Sequence, residues 1–154
     1  MGTRTHGSQL WLRRAALLTL VLWGLIHIVG GGALIAAASS DGGRSALELL
    51  GSGADDRTIP DDPGPVTQAV LGFHGFNLLL AGAGVLALAL LGARTAWPRG
   101  VTTSLALIVA ADGGLLIFLL LPGYMTLSDG LWGPLLLVGA AIFAWRAGWR
   151  PRQL

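Results

Sequence analysis

The sequence has no cysteine, no lysine and a single tyrosine, and it is poor in charge of either sign. The absence of cysteine excludes disulfides, thiolate metal sites, iron–sulfur clusters and cysteine nucleophiles, and it leaves the redox compartment unmarked. All ten basic residues are arginine, and alanine, glycine and leucine dominate, a coding bias that suggests a GC-rich bacterial genome. Charged residues are only 12% of the 154, too few to coat a soluble globule of this size. The arginines are scattered, with no basic patch and no interleaved aromatics, so no nucleic-acid partner is expected. Nucleotide loops are also missing: Gly30-Gly31-Gly32 follows no strand and leads to no phosphate-binding helix, which makes it a packing feature. No serine stands near a His–Asp arrangement, so a serine hydrolase is unsupported and the chain reads more as a binding or accessory protein than as an enzyme.

What is abundant is apolar. Hydrophobic residues make up 53% of the chain, and the mean hydropathy is +0.68. Four apolar runs stand out, at about 15–38, 66–91, 101–121 and 131–147. A helix needs roughly 20 apolar residues to span the hydrocarbon core; the first three runs meet that and the fourth is short. The first run is also too long for the core of a cleaved signal peptide, so it is expected to be retained. The fold expected from this pattern is an all-α, antiparallel four-helix transmembrane bundle forming a single integral membrane domain over 1–154.

Charge sets the expected orientation. Arg4, Arg13, Arg14, Arg94, Arg99, Arg146, Arg150 and Arg152 fall on one side of the four runs. The other side carries only Arg44 and Arg57, against Asp41, Glu48, Asp55, Asp56, Asp61, Asp62 and Asp129. The positive-inside rule then places both termini in the cytoplasm, which for a bacterial chain means a multi-pass protein of the inner membrane. Trp11, Trp97, Trp145 and Trp149 anchor the inner boundary, and Tyr124 and Trp132 the outer one. The outer loop, about 39–65, is the largest soluble part. It holds a short apolar patch at 45–50, suited to a helix lying on the interface, and ends in the turn sequence Asp61-Asp62-Pro63-Gly64-Pro65.

Ionisable groups inside a membrane span are costly, and three of the spans carry one each: His27, His74 and Asp112. At a rise of about 1.5 Å per residue they lie roughly 15–17, 12 and 14 Å below the outer boundary, nearly one level. Asn77 shares the helical face of His74. Small residues flank each of them: Gly24 and Gly31 beside His27, Ala81 and Gly84 beyond Asn77, Gly113 and Gly114 after Asp112. Such thin helix surfaces suit close helix contact or a tightly held flat ligand. Trp23, one turn before His27, is a candidate pocket wall.

Several chemistries fit these residues. They can simply hydrogen-bond one another and hold the bundle together. His27 and His74 can be axial ligands of a b-type haem, or join Asp112 around a divalent metal. His27, His74, Asn77 and Asp112 can line a polar pocket for a lipid-like or quinone-like molecule, or form a protonatable site in a small oligomeric transporter. Among the functional readings the pocket is the leading expectation, with no cofactor required.

The plan of the chain resembles the DoxX-like group of small four-helix bacterial membrane proteins. The likeness is carried by four spans with inside termini, by Gly24-Leu25-Ile26-His27-Ile28-Val29-Gly30-Gly31 in the first, and by His74-Gly75-Phe76-Asn77 opening the second. That resemblance implies a role within membrane complexes, with another membrane protein or a second copy of the chain as partner, and a link to quinone-coupled sulfur redox systems.

Overall fold

The structure is a computed structural model that describes residues 6–53, 59–94 and 97–149. Arg4, Asp55, Asp56, Arg57, Arg150 and Arg152, which enter the charge asymmetry above, lie outside the described residues. Within them the fold is helical, with no strand: α1 (His6–Ser40), α2 (Arg44–Leu50), α3 (Gly64–Arg94), α4 (Trp97–Leu115), α5 (Leu127–Gly130) and α6 (Trp132–Arg146). A π-helical turn, Leu116–Leu120, continues α4, with the Leu121 N–H donating to the Leu116 carbonyl at 2.9 Å. Pro122 follows, and a residue without a backbone N–H cannot extend the turn.

Three helical stretches are long and apolar enough to cross a membrane: Gly7–Ser40, Gly64–Ala93 and Trp97–Leu120. Their most apolar 18-residue windows are only 28%, 22% and 28% buried inside the molecule, so most of their leucines, valines and phenylalanines face outward. Val29, Phe73 and Phe118 are each at least 65% exposed. An outward apolar surface of this extent is that of a protein solvated by lipid. α6 is shorter, at 15 residues, but nearly as apolar.

The packing is fixed by small residues. α1 lies along α3, its largest neighbour, and the two run antiparallel with glycine on glycine at two levels. A Cβ placed on Gly24 would stand 2.8 Å from the Gly82 carbonyl oxygen, and one on Gly31 only 2.5 Å from that of Gly75. Both pairs are spaced by seven residues, two helical turns, so one seam of each helix is bare backbone. Gly92 and Gly100 bring α3 and α4 together in the same way near their connection. The main core lies in the half of the molecule near that connection. Ala16, Leu20 and Trp23 of α1, Val85 and Ala89 of α3, Val101, Leu105 and Ile108 of α4, and Ala140 and Ala144 of α6 meet there.

The opposite end is capped by α2 and the loops. Ala46 seats α2 against Leu34, Ala38 and Leu71. Arg44 pairs with Glu48 one turn along α2, at 2.8 Å, and ties the helix to the following loop through Asp61. The Asp41 carboxylate accepts the Ser45 backbone N–H at 3.0 Å, and with the Ser45 hydroxyl this holds its carboxyl below the usual carboxylate range. Ser52 and Gly53 then clasp the loop after α4: the Gly53 N–H donates to the Tyr124 carbonyl at 3.0 Å, and the Thr126 N–H to the Ser52 hydroxyl at 3.2 Å.

Candidate intramembrane site

Between the main core and this cap lies a cavity of about 940 Å³. His27, His74, Asn77 and Asp112, the four polar residues singled out by depth, all line it. Three helices supply them: α1 brings His27, α3 brings His74 and Asn77, and α4 brings Asp112. The rest of the wall is chiefly apolar, with Ile26, Leu78, Leu115 and Phe118 among it. The volume is at the upper end of the range for small-molecule sites, roughly 300–1,000 Å³.

Asp112 is the most enclosed member, with 1% of its surface exposed. Among the described residues its carboxylate shares a single direct donor, the Trp23 indole N–H, which lies 3.3 Å from Oδ1 and 3.2 Å from Oδ2. Both distances are at the long end for an N–H···O bond. On its other side the carboxylate sits on Gly133 of α6, where any Cβ would come within 2.7 Å of Oδ1. The His27 Nε2 stands 3.8 Å from Oδ1, near enough for charge interaction but too far for a hydrogen bond.

His27 is held from two sides. Its Nδ1 lies 2.9 Å from the Trp23 carbonyl oxygen, which can only accept, so Nδ1 carries the hydrogen and donates it. Its ring stacks on the Trp23 indole, centroids 3.6 Å apart and planes inclined by 19°. Trp23 itself is fully buried in the main core and does not line the cavity. It lies behind the wall expected of it, and orients the two residues that form that wall.

His74 and Asn77 are a different case. Both are exposed to the cavity side of α3, and neither hydrogen-bonds to any described residue. With Leu78 and Ala81 they form one face of α3, next to the bare seam of Gly75 and Gly82 that meets α1. The glycines after Asp112 do not serve helix contact: a Cβ on Gly113 or Gly114 would meet nothing within 4 Å, and Gly114 lines the cavity. Gly84 is likewise open.

No three His, Asp or Glu side chains among the described residues converge as a metal site requires, so the structure does not assemble His27, His74 and Asp112 into a ligand set. Haem ligation by His27 would need its Nε2, the atom turned toward the Asp112 carboxylate.

Residues that sequence reasoning passed over complete the site. Gly133 provides the seat for Asp112, and Leu50, Met125, Asp129 and Trp132 close the acidic end of the cavity. Asp129 is exposed there. The Thr126 hydroxyl donates to its Oδ2 at 2.6 Å, and this bond, with one from Ser52, holds its carboxyl below the usual range. It is a carboxylate at neutral pH. No protein-family model matches this chain, and neither a curated protein nor a solved structure matches it.

Proposed function

We propose that the protein is a non-catalytic, multi-pass membrane protein that binds a small amphiphilic molecule in the cavity between α1, α3 and α4. The observation that carries this reading is the state of His74 and Asn77. Polar groups that hold helices together do so by hydrogen bonds across the interface. These two line the cavity, and their side chains make none among the described residues. Polar atoms are expensive at membrane depth unless something satisfies them, and a bound molecule with an apolar body and a polar end would do so.

The reading includes the arrangement in the membrane: four antiparallel spans in a bacterial inner membrane, both termini cytoplasmic, and the cavity in the outer half of the bilayer. The arginine asymmetry supports that orientation. It also includes the likeness to the DoxX-like group, on whose terms the protein acts with a membrane partner or as a homo-oligomer.

The test is to purify the protein in mild detergent and identify co-purifying small molecules by mass spectrometry, alongside His74→Leu and Asn77→Leu. One amphiphile is expected with the native chain and is lost from variants that melt at the same temperature or higher. Variants that melt several degrees lower and keep the same extract would return these residues to structural bonding. A Soret band in the absorption spectrum, shifting on reduction, would replace the reading with a haem subunit.

A further inference from the structure

Which amphiphile the cavity takes is constrained by the charge of its wall. Among the described residues no arginine lines the cavity. The acidic side chains that do, among the described residues, are Asp112 at the inner end and Asp129 at the acidic end. A fatty acid or an anionic phospholipid headgroup would meet two acids and no cation. The His27 imidazole gives its Nδ1 hydrogen to the Trp23 carbonyl and turns Nε2 toward Asp112, so it offers an anion no free donor.

Asp112 is also short of donors. A carboxylate has about four lone-pair positions, and this one receives a single indole N–H shared between its two oxygens. A buried carboxylate so poorly supplied is stabilised by any cation that reaches the cavity. Two aromatic residues, Phe118 and Trp132, also line the cavity, side chains of the kind to which organic cations are drawn.

We propose that the ligand is a lipophilic organic cation, an apolar body carrying an ammonium or comparable positive centre, with that centre held at Asp112 and admitted past Asp129. The proposal rests on the reading of the cavity as a binding site and names the class of molecule it takes. Neutral amphiphiles lack the charge that would complete the carboxylate, and anionic ones are repelled by it.

Tetraphenylphosphonium and tetraphenylborate, nearly identical in shape and opposite in charge, provide the test, with triphenylphosphine oxide as a neutral probe. Binding to the full chain in a non-ionic detergent is measured by equilibrium dialysis against protein-free micelles. Saturable binding of tetraphenylphosphonium is expected near one per chain, at least tenfold tighter than either other probe. Asp112→Asn should weaken it tenfold or more. Asp129→Asn, at an exposed position and with an amide oxygen still able to accept from Thr126, should weaken it severalfold. Equal or tighter binding of tetraphenylborate or the neutral probe would overturn the cation assignment and leave the cavity reading standing, as would unchanged tetraphenylphosphonium binding by both variants. No saturable binding of any of the three would overturn the cavity reading as well.

Discussion

At the residue scale, Trp23 is the residue on which the site depends without being part of its surface. Its indole N–H is the sole direct donor to Asp112 among the described residues, its carbonyl takes the Nδ1 hydrogen of His27, and its ring carries the imidazole by stacking. Trp23→Phe keeps an aromatic ring and removes the donor. A buried acceptor left without its partner costs about 1–3 kcal/mol, so a lower melting temperature is expected in detergent. The cause can be isolated by adding Asp112→Leu. If the cost is that of a stranded carboxylate, the double variant recovers much of the loss and the two changes are clearly non-additive. Simple additivity in thermal unfolding would mean that Trp23 acts only as core volume. In the sequence this tryptophan stood one turn from His27, which pointed to a shared wall. It could not show that the same side chain reaches a carboxylate 89 positions away, because that depends on how α1 and α4 are rotated against each other.

At the scale of elements, the α1–α3 seam makes a prediction about neighbouring glycines. Gly30, Gly31 and Gly32 are indistinguishable as a sequence, and each is helical. A Cβ on Gly30 or Gly32 would meet nothing within 4 Å, whereas one on Gly31 would meet the Gly75 carbonyl oxygen and, at 2.6 Å, the Leu79 nitrogen. Backbone atoms cannot swing aside, so Gly31→Ala must push the two helices apart, at a cost of about 1–3 kcal/mol. Gly30→Ala fills open space and gains helix propensity, worth up to about 1 kcal/mol. Thermal unfolding of the two variants should therefore move in opposite directions. Equal shifts would show that the helices do not meet on this seam. The contrast also marks where the sequence was legible. Run length and composition were enough to place the apolar helices, and intramembrane depth was enough to nominate residues that line one cavity. Which of three adjacent glycines is pressed, or that Gly133 is the seat of Asp112, follows from helix rotation, and apolar runs with outward faces of uniform hydrophobicity carry no mark of it. The small residues divide in the same way: Gly24 and Gly31 meet a helix, while Gly84, Gly113 and Gly114 are open and Gly114 lies on the cavity wall.

For the whole molecule the question is how many times the chain crosses the membrane, and it turns on α6. At 15 residues it is about 22 Å long, against a hydrocarbon core of about 30 Å. The helix nonetheless begins earlier than its apolar run suggests. The Leu131 N–H donates to the Leu127 carbonyl at 3.1 Å and the Leu135 N–H to the Leu131 carbonyl at 3.0 Å, so α5 runs on into α6 through a bend. Pro134 accounts for the bend, since its ring cannot tolerate the carbonyl four residues before it. Counted from Gly130, just past the exposed Asp129, to Arg146 the helical path is about 25 Å, within the few ångströms that local thinning of the bilayer can take up. Because the chain has no cysteine, any single introduced one is a unique label. A membrane-impermeant maleimide applied to intact cells should reach Ser40→Cys and Ser128→Cys, and should reach Gln9→Cys, Arg99→Cys and Arg146→Cys only after the membrane is opened. Labelling of Arg146→Cys in intact cells, with the other four as expected, would mean that α6 lies on the membrane and that there are three spans. In that case α6 could not meet Asp112 from within the bilayer, and the seat at Gly133 would be lost with the fourth span.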